Sequence, residues 1–159
     1  MPRVEVQTLI RAPVEAVYAL ARDVERFPEF MPDLETVRLV ARDGHRTITE
    51  WVGRVQGRRI RWVEEDTWDD ATYTCTFHQR EGDFDRYEGV WTFEPVQGGC
   101  RTRLVVEFDL NVPLLGPLLA NLVLLLMRKN VEKMLDALRR RAEEGPSSDP
   151  GAEEDRSWR

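Results

Sequence analysis

An α+β fold, with a curved antiparallel sheet wrapped around one long C-terminal helix, is predicted by three features of the sequence. The first residues alternate as a half-buried strand, a long middle stretch reads as strands separated by turns, and the last apolar segment has helical spacing. A sheet of about seven strands then has a single long amphipathic element to cover it, so the sheet must curl around that helix.

The first strand rests on Val4, Val6, Thr8 and Ile10, which alternate with Glu5 and Gln7. Pro13 opens a short helix whose apolar face is Val14, Val17, Tyr18 and Ala21, because proline lacks the N–H that a first turn leaves unpaired. Asp23 can cap a second short turn, and the stretch Phe27-Pro-Glu-Phe-Met-Pro makes a helical elbow rich in large apolar side chains. Turn signals at Asp43-Gly44, Gln56-Gly57, Trp68-Asp-Asp, Glu81-Gly-Asp and Gln97-Gly-Gly delimit strands at roughly 34–42, 45–55, 58–68, 71–80, 84–96 and 100–112. Such short connections imply an antiparallel meander. A helix from about Pro117 to Ala142 follows, its face carrying Leu119, Leu122, Val123, Leu126, Met127, Asn130, Val131, Met134, Leu135 and Leu138. The first turns of that helix are apolar nearly all round, so Leu114–Met127 reads as a pocket gate in transient contact with membranes, as a homodimer interface, or as a face covered by the early strands.

Composition narrows the function classes. The 159 residues fit one domain, expected at 1–144, followed by a disordered acidic tail at 145–159. From Glu143 onward six acids face two arginines, so four of the six net negative charges sit at that end. A nearly neutral body without a basic stripe argues against nucleic acid. Cys75 and Cys100 lie on separate strands without metal-ligand or redox spacing, and His45 and His78 lack catalytic partners in the sequence. The expectation is no metal, no cofactor and no catalytic residue. The N-terminus lacks a signal-peptide core, and the strongest apolar run is too short to span a bilayer, so a cytoplasmic protein is expected.

A curled sheet gripping a helix leaves a concave space where the two diverge, and a hydrophobic small molecule is the ligand such a space suits. Candidate wall residues are Phe27 and Phe30 of the elbow, Trp51, Trp62, Tyr87, Trp91 and Phe108 of the strands, and Leu126, Asn130 and Met134 of the helix. Tyr87 also brings a hydroxyl that needs a partner when buried. Strand 58–68 is unusual, because the face bearing Ile60, Trp62 and Trp68 also carries Glu64 and Asp66. Burying a carboxylate is costly without partners, so the strand is expected to twist out and solvate Asp66, while Glu64 is a pocket candidate.

Three stretches together resemble a known superfamily: Ala12-Pro-Val-Glu-Ala-Val-Tyr with Asp23-Val-Glu-Arg-Phe-Pro-Glu-Phe; Tyr87-Glu-Gly-Val-Trp-Thr-Phe-Glu-Pro with Gly98-Gly99 and Val106-Glu-Phe-Asp-Leu; and Asn130-Val-Glu. In this order they are similar to the START-like (SRPBCC) helix-grip superfamily, in the branch of polyketide cyclase/dehydrases and coenzyme-Q-binding proteins. The resemblance implies a helix-grip fold and a cavity for a lipid, quinone, isoprenoid or polyketide-like molecule, held by a carrier or chaperone. It also implies an alternative, a polyketide cyclase/dehydratase (aromatase). Those enzymes use a pocket arginine whose strand position falls at or near Asp66, and Leu34 stands where they carry a tyrosine, whereas Phe27 keeps the elbow aromatic.

Overall fold

The computed structural model describes residues 2–55, 57–110 and 117–145, the side chains of 117–120 excepted. β1 (Arg3–Ile10) is followed by α1 (Val14–Arg22) and a 3-10 turn at Val24–Glu29. The strands β2 (Leu34–Asp43), β3 (Arg46–Val55), β4 (Arg58–Asp69), β5 (Thr74–Gly82), β6 (Arg86–Val96) and β7 (Gly99–Asp109) then precede α2 (Pro117–Glu144). They pair antiparallel in the order β1-β7-β6-β5-β4-β3-β2. Since β1 and β2 are the two edges of this sheet, α1 and the 3-10 turn carry the chain from one edge to the other. The α+β helix-grip architecture is therefore the one that the strand and helix patterns imply.

The periodicities explain which faces are buried. Along β4, Ile60, Trp62, Glu64, Asp66 and Trp68 are all buried while the intervening residues are not. The core-facing stripe of α2 is Met127, Val131, Leu135 and Leu138, and the last two are almost inaccessible. Truncating either to alanine costs about 2–5 kcal/mol. Val14, Val17, Tyr18 and Ala21 bury the face of α1 read from their spacing. Tyr18 also donates to Asp70 at 2.7 Å, and Arg22 bonds the same carboxylate, tying α1 to the β4–β5 turn. Gly89 lets strands close tightly: a Cβ there would stand 2.1 Å from the Val105 carbonyl oxygen and 2.6 Å from the Phe77 ring.

Several strand boundaries differ from expectation. β5 begins at Thr74 rather than at 71, because Tyr73 adopts a left-handed φ of 54° and completes a turn. β6 begins at Arg86, leaving Phe84 outside the strand, and β7 ends at Asp109. The expected continuation to 112, the loop at 111–116 and the acidic tail from 146 lie outside the described residues. Among the described residues, no helix is long and apolar enough to cross a membrane.

Candidate functional site

Where α2 diverges from the sheet it leaves a cavity of about 80 Å³. Ile60 and Trp62 of β4, Tyr87 of β6 and Leu104 of β7 form one wall, and α2 supplies Met127, Asn130, Val131 and Met134 opposite. The elbow and the start of β2 contribute Met31 through Leu34, and β3 contributes Gly53. Three of the four methionines of the chain thus line this space. Their unbranched side chains repack readily, which makes the wall adaptable.

Most polar groups at the rim are already engaged. Asp33 lies 3.7 Å from Lys133, and Arg54 pairs with Glu35. Deeper in, the Tyr87 hydroxyl and the Asn130 amide have no hydrogen-bond partner among the described residues. A phenol and an amide in an otherwise apolar wall can each accept or donate one bond to a guest. Burial, and then the nearby Glu64 and Asp66 carboxyls, push the Tyr87 phenol well above its usual range, so it stays protonated and can donate.

Behind this wall lies an aromatic and acidic layer. Register places Trp51 directly opposite Trp62, and their rings stack 5.7 Å apart at 8°. Such a pair adds about 0.5–1.5 kcal/mol beyond its buried area. The Trp62 Nε1–H donates to Glu64 at 2.7 Å. Asp66 accepts from the Thr49 hydroxyl at 2.7 Å and from Thr47 at 3.1 Å, while the indoles of Trp51 and Trp68 donate to these same hydroxyls. Burial raises both acids, and Asp66 raises Glu64 further, so a proton held on Glu64 is shared with the Asp66 carboxylate.

These positions revise several expectations. Asp66 is 3 % exposed rather than solvated, because the β3 threonines supply the partners that burial demands. Of the candidate wall residues, Trp62, Tyr87, Asn130 and Met134 line the cavity. Glu64 does not, and its carboxyl instead accepts the Trp62 indole N–H close to Asp66. Phe27 packs edge-on against Trp51, Trp91 stacks on Phe93, and Phe108 meets Phe84, so Phe27, Trp51, Trp91 and Phe108 are core rather than wall. Phe30 borders a neighbouring cleft. Leu126 is half-buried and off the core-facing stripe of α2.

Other wall residues are not identified by sequence reasoning. Ile60, Leu104, Met127 and Val131 lie on the correct periodic faces, but nothing in the pattern shows where sheet and helix part. Phe84 lies outside the strand in which its sequence places it. The Gln79 amide brackets its backbone, donating to the Phe84 carbonyl at 2.9 Å and accepting its N–H at 3.3 Å. This sets the Phe84 ring 4.6 Å from that of Tyr87. Among the described residues, no cluster of His, Cys, Asp and Glu has the makings of a metal site.

This architecture recurs in known proteins. A protein of Thermus thermophilus, TTHA0849, superimposes with a TM-score of 0.88 at 42% identity, over 92% of this chain and 100% of that one. The Zhui aromatase/cyclase of a Streptomyces species aligns with a TM-score of 0.82 at 19% identity, over 89% of this chain and 93% of its own, a likeness of fold alone. The granaticin polyketide synthase bifunctional cyclase/dehydratase of Streptomyces violaceoruber is 29% identical over 90% of this chain, which spans only 44% of that relative. The ribosome association toxin RatA of Rickettsia prowazekii is 22% identical over 80% of this chain and 87% of its own. Residues 10–139 match the family model described as polyketide cyclase / dehydrase and lipid transport, and the chain belongs to that family.

Proposed function

We propose that this protein binds a hydrophobic small molecule between the sheet and α2 and serves, in the cytoplasm, as its carrier or chaperone. Lipids, quinones, isoprenoids and polyketide-like molecules are the ligand classes. The observation that carries this reading is an apolar, methionine-rich cavity holding two polar groups, Tyr87 and Asn130, that no described residue satisfies. One or two anchored polar atoms in an apolar site fit a molecule with a carbonyl or hydroxyl on a hydrocarbon frame. At about 80 Å³ the cavity is smaller than the several hundred Å³ of ordinary ligand sites, so a guest enters by displacing the flexible methionines.

A second reading, cyclisation or dehydration of a polyketide-like substrate, is favoured by the 29% identical cyclase/dehydratase. Against it stands the charge of the site. By the resemblance, the enzymes' arginine corresponds to a position at or near Asp66, here an acid enclosed by threonines, and their tyrosine to Leu34.

The test is to extract the purified protein with organic solvent, identify what it retains by mass spectrometry, and add that molecule back. Saturating ligand should raise the thermal midpoint by roughly 5–10 °C and alter tryptophan emission, since only the folded state binds. If the extract is empty and quinones, isoprenoids, fatty acids and aromatic polyketides all leave both signals unmoved, the reading fails. Turnover of a polyketide-like substrate would instead establish the second one.

A further inference from the structure

We propose that a cleft beside the cavity mouth is an anion subsite, so that the guest is an amphiphile whose apolar tail enters the cavity and whose carboxylate or phosphate head stays outside. This rests on the binding reading above and specifies its ligand. The cleft, of about 310 Å³, lies between the elbow and the last turns of α2. Pro32 and Lys133 belong to the linings of both spaces, so the cleft and the cavity adjoin. Its cations are Lys133, Arg140 and Arg141, and its anions are Asp136 and Glu144.

Most of the negative charge is already committed. Asp136 accepts from Arg139 at 2.7 Å and from Arg140 at 3.0 Å. Among the described residues Lys133 pairs only with Asp33, at 3.7 Å, longer than a charge-assisted hydrogen bond. Arg141 forms no salt bridge among the described residues, and its guanidinium lies 5.6 Å from the centre of the Phe30 ring. Phe30 is itself fixed edge-on against the buried Phe27 at 5.8 Å, so the guanidinium is held at the cleft wall with no hydrogen bond to a described residue. The C-terminal end of α2 is electronegative and repels an anion, so these side chains and not the helix dipole would attract the head. An apolar cavity adjoining them is the layout that a tail and an ionic head require.

Palmitate, hexadecyl phosphate and hexadecanol share one tail and differ in the head. Each is titrated against the full chain loaded with the neutral fluorophore N-phenyl-1-naphthylamine. Palmitate or hexadecyl phosphate should displace the fluorophore at roughly three- to tenfold lower concentration than hexadecanol, an advantage that high salt narrows. Whichever of the two is stronger identifies the head as carboxylate or phosphate. In the Arg141→Gln variant, at a residue that lines the cleft and not the cavity, the advantage should largely vanish while hexadecanol is unaffected, which also reports an intact cavity. Equal displacement by all three in the native protein, or a preference unchanged in the variant, overturns the subsite and leaves the binding reading standing. Failure of the fluorophore and of all three compounds to bind overturns both.

Discussion

The indole N–H of Trp62 donates at 2.7 Å to Glu64, so one side chain joins the cavity wall to a buried acid pair. Because burial and the neighbouring Asp66 raise Glu64 well above the ordinary 4.5, the folded state holds its proton more firmly than the unfolded chain does. That contribution to stability is full below the unfolded value and is lost as pH rises through the folded one. The melting temperature should accordingly fall from mild acid toward alkaline pH by more than in Glu64→Gln, whose amide keeps both hydrogen bonds without titrating. Parallel melts of the two proteins across this range check it, and curves of identical shape would refute the shared proton.

Tyr87 makes a cleaner separation of binding from folding. Its hydroxyl bonds nothing among the described residues while its ring is clamped by Phe84 and Trp62. Tyr87→Phe should leave the thermal midpoint unchanged within about a degree. It should weaken a ligand bearing a carbonyl or hydroxyl by about 0.5–1.5 kcal/mol, a few-fold to tenfold in Kd. Calorimetric titration and a melt on the same sample decide the matter, and loss of stability without loss of affinity would make Tyr87 a core residue only.

Much of this arrangement can be read from the chain. The alternation along β4 turns Glu64 and Asp66 inward, and the turn signal at Gln56-Gly57 in the sequence implies that β3 and β4 pair as a hairpin. Counting back from Val55↔Arg58 puts Thr49 opposite Glu64 and Thr47 opposite Asp66. The partners that make burial of Asp66 tolerable are thus in the sequence, although a single strand considered alone favours solvating it. The placement of Phe84 is not legible, since a side-chain amide from another strand positions it. Nor is the division of the aromatics into wall and core. That depends on where α2 leaves the sheet, a distance that no periodicity encodes.

Gly89 tests the tightness of the sheet. Its missing Cβ would collide with the Val105 carbonyl on β7 and with Phe77, and backbone cannot yield as a flexible side chain does. Gly89→Ala should destabilise by about 3 kcal/mol or more, at the upper end for overpacking. Denaturant unfolding measures this, and a loss below about 1 kcal/mol would mean that β6 and β7 separate more easily than their register implies.

The described start of α2 leaves Leu122 and Leu125 46 and 48% exposed, on the turns that lead into the cavity-lining Met127. Arg128 and Lys129 are exposed one turn further on. Apolar side chains beside cations suit the surface of an anionic bilayer, where leucines leave water and cations meet headgroups. Each leucine so withdrawn contributes at most about 1.5–3 kcal/mol, and less from a half-exposed start, so a contact of this kind would be transient and easily reversed. Replacing both leucines by glutamate removes this contribution and adds repulsion, while the buried stripe of α2 is untouched. The double variant should melt like the native protein, bind its ligand in solution with the same Kd, and take it up from anionic vesicles several-fold more slowly. Flotation with vesicles and a stopped-flow transfer measurement provide the readout. Equal transfer rates would remove the membrane contact, and a dimer that dissociates in the variant on sizing would reassign the same leucines to a subunit interface.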